Sequence, residues 1–386
     1  MPAAVYILGL SIFCLGTTEF MISGLLPHLA REFDVSIASA GLLISAFALA
    51  VAIGAPPLSI LGLRLRRKIA LLVLLAVFTA GQILAASAQT YGWLMSARIL
   101  TALAFGPFFA IGAVEAVDLV NEDRRARAIA VMFGGLTIAN IAGVPAGAFI
   151  GEQWGWRGAF WVVAVLSAVA LAGVAWKVPS RASALAGWSD LRSEFKPFSK
   201  LALWTAILTT ALSQAALFAV FSYISPLLTE VAHLPSGAVP PLLVVFGVGT
   251  CIGSFIGGRL ADRFLELNLM LGLVLLGAMT GVLAVATRNP VAMTMAIFAY
   301  GISAFAINPA LQAQVMREAK AAPTLSSAAN ISAFNVGNTL GPLLGGALIA
   351  GHGYIAPIFV GVALATAALL ASVLTWRMKV SQQWFA

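Results

Sequence analysis

The chain is divided into twelve apolar stretches, each long enough to cross a membrane as a helix. A bilayer core about 30 Å thick needs about 20 helical residues. We number the stretches spans 1 to 12 and predict them at residues 5–27, 37–61, 68–90, 92–118, 126–151, 157–178, 201–229, 238–261, 267–287, 290–316, 324–350 and 355–377. Charged residues make up only 9% of the chain, too few to cover it in water. The sequence predicts an all-α integral membrane protein.

One long polar stretch interrupts this series between spans 6 and 7. Residues 179–200 are rich in Pro, Ser and charges of both signs, as is typical of an exposed loop. We predict them as a cytoplasmic linker. It separates a six-helix bundle at residues 1–178 from a second one at residues 201–386.

The two halves also carry matching residues at an almost constant distance along the chain. The matches at an offset of 199 or 198 residues are Pro27 with Pro226, Ile53-Gly54 with Ile252-Gly253, Asn140 with Asn338, Gly143 with Gly341, and Gly147 with Gly345. Repeated halves are common among transporters, whose binding sites lie where the repeats meet. The sequence therefore predicts two bundles related by an internal repeat, with a binding cavity between them.

The positive charges fall mostly on one side of the predicted spans. If the N-terminus is cytoplasmic, eighteen of the 22 Lys and Arg residues lie in the inner loops and the C-terminal tail. The outer loops hold Arg31, Arg157 and Arg288, and only Arg98 lies well inside a span, away from its ends. This asymmetry predicts that both termini are cytoplasmic. It also accounts for the net charge of +8 without nucleic-acid binding.

Three segments resemble motifs of a known transporter family. They are "GTTEFMISGLLP" in span 1, "ARILTALAFGP" in span 4 and "ANIAGVPAGAFIGEQWGWR" in span 5. With the six-plus-six arrangement, they make the chain resemble the major facilitator superfamily, and within it the drug:proton antiporters of the chloramphenicol and arabinose efflux branch. The resemblance implies a multi-pass carrier in the bacterial cytoplasmic (inner) membrane. We expect a monomer without a cofactor.

Glu19 is an acid placed well inside an apolar span. An ionised acid there costs about 2.5 to 3.5 kcal/mol on insertion scales, so such groups are usually functional or paired. Glu19 and Arg98 lie about 12 Å and about 10 Å inside the outer ends of spans 1 and 4. We predict a proton-coupling pair in which Arg98 tunes Glu19. The alternative is a fixed structural pair, with Arg98 serving only helix-end carbonyls.

Three glycines recur at every fourth residue of span 5, where they form one stripe. They are Gly143, Gly147 and Gly151, with Pro145 between the first two. Small residues at this spacing let another helix approach closely. Packing is one interpretation. The other follows from the resemblance, in which this antiporter motif seals the outer side against proton leak.

Six side chains in the predicted cavity-facing helices are candidates for binding substrate. They are Asn140, Gln214, Phe218, Asn308, Asn335 and Asn338. Gln214 and Phe218 lie one turn apart on span 7, which places an amide beside an aromatic ring. Such a pair suits an amphipathic ligand, although buried amides also tie helices together.

Charged residues near the predicted cytoplasmic ends of the spans are further candidates for a structural or functional role. The family's loop motif lacks its acid between spans 2 and 3, in "GAPPLSILGLRLRRK", whereas "GGRLADR" between spans 8 and 9 retains Asp262 and Arg263. We therefore expect the C-terminal half to carry more of this inner-loop motif. Glu115 and Asp118 are expected to cap span 4 or to pair with loop arginines.

The sequence offers no catalytic, metal-binding or ATP-binding motif, so we do not expect an enzyme. Energy would then come from an ion gradient. We predict a proton-coupled exporter of small amphipathic molecules such as phenicol-type antibiotics, working by alternating access. Its partners would be the substrate, protons and the lipid bilayer. The alternatives are efflux of sugars or nucleosides, and uptake or facilitated transport by the same fold.

Overall fold

A computed structural model describes residues 1–62, 65–121, 124–180, 196–319 and 323–384. This described part is almost entirely helical and contains no strand. Its main helices are Ala3–Phe20 and Ile22–Glu32 in span 1, Ile37–Gly62 in span 2, Arg67–Ala86 in span 3, Tyr91–Asp118 in span 4, Arg125–Ile138 and Val144–Trp154 in span 5, Trp156–Lys177 in span 6, Leu201–Phe221 and Ile224–Pro226 in span 7, Val239–Arg263 in span 8, Leu265–Ala286 in span 9, Pro290–Ala306 and Asn308–Glu318 in span 10, Pro323–His352 in span 11, and Ala356–Trp384 in span 12.

All twelve predicted spans are therefore helical. Eleven segments in the described part of the chain are long and apolar enough to cross a membrane, and span 11 forms a further helix of 30 residues. The predicted all-α membrane fold is confirmed. Residues 181–195 of the predicted linker lie outside the described residues.

The chain folds as two compact units. One comprises Met1–Ala186 with Ser236–Val244, and the other comprises Gly187–Pro235 with Val245–Ala386. Spans 1 to 6 thus lie in the first unit together with the beginning of span 8. The second unit holds span 7, the rest of span 8 and spans 9 to 12.

Four spans are interrupted where the sequence predicts continuous helices. Span 1 breaks at Met21, span 5 contains the π-helical segment Ala139–Gly143, span 7 breaks after Phe221, and span 10 breaks at Ile307. Spans 5, 7 and 10 each have a proline just after the break, at Pro145, Pro226 and Pro309. Proline has no N–H to donate to the carbonyl four residues earlier, so the regular hydrogen-bond ladder stops there.

The glycine stripe of span 5 packs against span 1, inside the first unit. The glycines face residues of span 1 with the same spacing: Gly143 faces Thr17, Gly147 faces Met21, and Gly151 faces Leu25. A Cβ atom at Gly147 would lie 3.0 Å from the Met21 Cβ, closer than ordinary contacts allow. The stripe therefore permits a close helix approach at the point where span 1 is interrupted.

The second unit repeats this packing. Glycines of span 11 face span 7 in three contacts: Gly337 faces Ala211, Gly341 faces Ala215, and Gly345 faces Ala219. The sequence match between the span 5 and span 11 glycines thus corresponds to the same helix contact in each unit. In both, the fifth helix of the half packs on the first.

Candidate functional site in the first unit and its counterpart

Arg98 is a buried cation in the middle of the first unit. The side chain is 1% exposed, and its Nη1 donates a hydrogen bond of 2.7 Å to the carbonyl of Thr18. Its guanidinium carbon lies 4.2 Å from the centre of the Phe47 ring, a cation–π contact that partly replaces hydration. Nε and Nη2 have no hydrogen-bond partner among the described residues. Two donors of a buried cation are therefore available within the site.

Glu19 lies within electrostatic range of this cation. It follows Thr18 in the last turn of the helix Ala3–Phe20, two residues before the interruption at Met21, and it is half-buried. Its charge acts electrostatically on Arg98. The structure thus brings together the acid and the cation that the sequence singled out. A change in the protonation of Glu19 stays a prediction.

Three further residues complete this site, and sequence reasoning missed them. Phe47 comes from span 2, and Gln82 from span 3 makes a buried hydrogen bond to Thr18 of span 1. An amide in the apolar middle of span 3 was a signal that could have identified Gln82. No local pattern could have paired it with Thr18, because that pairing depends on how spans 1 and 3 are rotated.

Two of the predicted substrate-binding residues meet in the second unit. The Gln214 Nε2 donates to the Asn308 Oδ1 over 2.9 Å. Asn308 begins the second helix of span 10, directly after the break at Ile307. The amide pair therefore lies where span 10 is interrupted.

Phe218, four residues after Gln214, belongs to an aromatic cluster. Its ring centre lies 6.0 Å from Phe221, which stacks on Phe246 at 4.6 Å. Phe246 in turn lies 5.8 Å from Tyr300, whose hydroxyl donates to the Leu217 carbonyl over 2.7 Å. All four rings are buried.

The other three candidates occupy different places. Asn140 lies in the π-helical segment of span 5, in the first unit. Asn335 donates to the carbonyl of Ile331 in its own helix over 3.0 Å. Asn338 is buried in the same helix of span 11. The structure thus pairs Gln214 with Asn308 and places Asn140 in the other unit, while the binding of substrate by all six stays a prediction.

The charged residues at the loop ends of the spans differ from the expected motif. Asp262 and Arg263 are exposed, and within the described part of the chain they form no ion pair. Arg317 instead pairs with Glu266, four residues after Asp262. The role of Asp262 and Arg263 in an inner-loop motif stays a prediction.

The first unit has a corresponding ion pair. Arg67 pairs with Asp118, and its Nη1 lies 3.9 Å from the Glu115 Oε2. This confirms the expectation that both acids near the end of span 4 pair with an arginine from the loop region. Among the described residues, no cluster of three His, Cys, Asp or Glu side chains could hold a metal ion.

Interrupted membrane-spanning helices with an acid beside a buried cation are typical of a polytopic membrane transporter. The chain belongs to the Major Facilitator Superfamily, whose family model matches residues 8–333. Its fold is also that of a bacterial homologue of the human lysosomal transporter Spinster, with a TM-score of 0.79 at 18% identity, covering 97% of this chain and 96% of that one.

Several curated relatives are similar over nearly their whole length. The inner membrane transport protein YdhP of Escherichia coli strain K12 is 41% identical, covering 94% of this chain and 93% of the relative. A chloramphenicol resistance protein of Streptomyces lividans is 36% identical, covering 96% and 95%. A probable sugar efflux transporter of Helicobacter pylori strain G27 is 32% identical, covering 95% and 93%.

Proposed function

We propose that the protein is a proton-coupled exporter of small amphipathic molecules, working as a monomer in the bacterial inner membrane. The observation that carries this proposal is the Glu19–Arg98 pair, because it places a titratable acid beside a buried cation at the break of span 1. A fixed structural pair would need no free donors. Arg98 has two among the described residues.

Coupling follows from two opposing effects on Glu19. Arg98 favours the charged carboxylate, whereas desolvation favours the neutral acid. A change in hydration, or a substrate group that engages Arg98, then shifts the balance. One proton moving through the equivalent of about 150 mV releases about 3.5 kcal/mol. That supports a substrate gradient of about 300-fold.

The class of substrate is inferred from the site of the second unit and from one relative. The Gln214–Asn308 amides supply hydrogen-bonding groups, and the buried Phe218 cluster supplies aromatic rings in the same unit. A neutral amphipathic molecule needs both. The Streptomyces lividans relative is a chloramphenicol resistance protein, which supports a phenicol-type antibiotic.

Sugar efflux is the second candidate. The Helicobacter pylori relative is a probable sugar efflux transporter, and the Gln214 and Asn308 amides can also bond sugar hydroxyls. The Phe218 cluster would then stack against the apolar face of a sugar ring.

Everted membrane vesicles test the proposal. In vesicles energised to acidify their interior, chloramphenicol should accumulate. Its addition should release protons from the vesicle lumen, measured as a rise in the luminal pH. Labelled arabinose replaces chloramphenicol in a second arm, and accumulation of the sugar alone would favour the second candidate. Accumulation of either compound that survives an uncoupler would contradict proton coupling.

We also predict that the C-terminus is cytoplasmic. A reporter fused after Lys379 should be active only in its cytoplasmic form, because eighteen of the 22 Lys and Arg residues lie on that side of the predicted spans. The matched control is the same reporter after Gly237, in the loop before span 8, which should be active only outside. A reversed result for the two fusions would overturn the orientation.

A further inference from the structure

Gln82 is a fully buried amide in span 3. Its Nε2 lies 2.9 Å from the Thr18 hydroxyl oxygen, and its Oε1 lies 3.1 Å from the same atom. Burying an amide without a partner destabilises a protein, so this pair fixes span 3 to span 1 at residue 18.

Thr18 is held a second time through its backbone. Its carbonyl accepts the 2.7 Å hydrogen bond from Arg98 of span 4. Glu19 is the next residue, and span 1 is interrupted at Met21. The turn that carries Glu19 is therefore held from span 3 by a side chain and from span 4 by the buried cation.

The second unit keeps one of these two ties and lacks the other. Leu217, 199 residues after Thr18, accepts through its carbonyl a hydrogen bond from Tyr300, and Phe246, 199 residues after Phe47, packs beside Tyr300. Tyr300 lies one turn beyond the position that corresponds to Arg98. The backbone tie between the first and fourth helices of a half is thus present in both units.

The side-chain tie has no counterpart at the two corresponding positions. Leu217 has no hydroxyl, and Gly281 stands 199 residues after Gln82. Its neighbour Thr280 donates to the Leu276 carbonyl of its own helix over 2.7 Å. The half that has Phe218 in place of Glu19 therefore lacks this tie, and the half with the acid has it.

We propose that Gln82 is a positioning residue for proton coupling, acting through Thr18 on the Glu19–Arg98 pair. This inference rests on the proposed function. Without the Gln82 bond, the tie that remains between Thr18 and spans 3 and 4 is the Arg98 hydrogen bond, so the geometry of the acid relative to the cation changes. The pH at which Glu19 titrates should then move.

An infrared titration of the purified protein tests this without a substrate. The carbonyl stretch of the protonated acid is followed from about pH 4 to about pH 10, and Glu19→Gln identifies its band. Gln82→Met and Thr18→Val should each move the midpoint by about half to one pH unit. The double variant should move it no further, because both changes remove one bond.

Two control variants separate positioning from stability. Thr79→Val removes an equally buried bond of 3.0 Å between span 3 and Ser167, and it should leave the midpoint unchanged. Thr18→Ser keeps the hydroxyl and should also keep the midpoint. A midpoint unmoved in Gln82→Met, or moved as far in Thr79→Val, overturns the inference alone. A wild-type protein without any Glu19 band contradicts the proposed function.

A second inference rests on the ion pairs at the loop ends. We define the N-terminal clasp as Arg67, Glu115 and Asp118, and the C-terminal clasp as Glu266, Gln314 and Arg317. Each member of the second stands 199 residues after the corresponding member of the first. The bonded charges are 51 residues apart in both units. The middle residue is buried in both, with Glu115 1% and Gln314 0% exposed.

The signs of the two clasps are reversed. Glu266 lies in the first turn of its helix and Arg317 in the last turn of its own, where helix dipoles favour them. Arg67 begins and Asp118 ends their helices, where the dipoles oppose both. Since both arrangements occur, the dipole does not decide the signs.

We infer that each clasp holds two neighbouring helix ends through complementarity of charge, and that its polarity is interchangeable. The neutral Gln314 fits this logic, because Arg317 already has two acids beside it, Glu266 and Glu318. In the first unit the middle acid, Glu115, lies next to Arg67 instead.

Transplanting the C-terminal clasp tests the inference. Arg67→Glu alone should lower the thermal midpoint of the purified protein by about 5 °C or more, because it places three acids together. The triple variant Arg67→Glu/Glu115→Gln/Asp118→Arg should return it to within about 2 °C of the wild type. A triple variant as unstable as Arg67→Glu would show that the signs are not interchangeable.

Discussion

The Glu19→Gln variant is expected to fold, to insert in the membrane and to lose uphill transport. An amide has the shape of the protonated acid and cannot release a proton, so substrate movement loses its driving force of about 3.5 kcal/mol. Accumulation of chloramphenicol in everted vesicles should fall by about tenfold or more. Exchange of labelled for unlabelled chloramphenicol should persist, because exchange needs no net proton movement.

Glu115→Gln is the matched control for this variant. Glu115 is the buried acid of the N-terminal clasp, and the C-terminal clasp carries an amide at the corresponding position, Gln314. We expect this control to retain coupled transport. Full coupling in stable Glu19→Gln protein would exclude the acid of span 1 as the proton carrier and direct attention to Glu115 and Asp118. Poor expression of Glu19→Gln, with coupling intact in what folds, would indicate a structural role.

Gly147→Leu is expected to give an assembled protein that does not transport. The Cβ atom alone would lie 3.0 Å from the Met21 Cβ, and the rest of the leucine must push spans 1 and 5 apart. The displacement would reach the interruption of span 1, two residues after Glu19. Overpacking of this kind destabilises by about 1 to 3 kcal/mol, and transport of chloramphenicol should fall by about tenfold or more.

Gly134→Leu provides the comparison on the same span. A Cβ atom at Gly134 would meet nothing within 4 Å, so a leucine there should be tolerated. Membrane-inserted protein is quantified for both variants by size-exclusion chromatography in detergent. Normal transport with Leu at position 147 would remove the close contact of spans 1 and 5 from the mechanism. Equal loss in both variants would indicate that span 5 tolerates no bulky residue at all.

The course of the chain through the membrane could be predicted because hydropathy is a local and additive property. Span 4 was expected at residues 92–118 and is the helix Tyr91–Asp118. The interruptions were not expected. The prolines at positions 145, 226 and 309 were visible in the sequence, but many membrane helices accommodate a proline without breaking, as span 11 does at Pro342.

The candidate site could be predicted only in part. An acid and a base inside apolar spans are conspicuous, so Glu19 and Arg98 were identified from the sequence. Thr18 and Phe47 are ordinary residues of such spans, and their place in the site depends on helix rotation. The ion pair of Arg67 with Asp118 could have been predicted from the internal repeat, because Glu266 and Arg317 stand at the same offset with opposite charges.

The π-helical segment Ala139–Gly143 makes the length of span 5 as important as its composition. A π turn holds more residues than an α turn, and the glycines that face span 1 come at its end or after it. If the same residues formed a regular α-helix instead, everything beyond the segment would rotate by about 100°. Gly147 and Gly151 would then point away from Met21 and Leu25. We therefore expect deletion of one residue from the segment to restore the α form and to keep both glycines facing span 1.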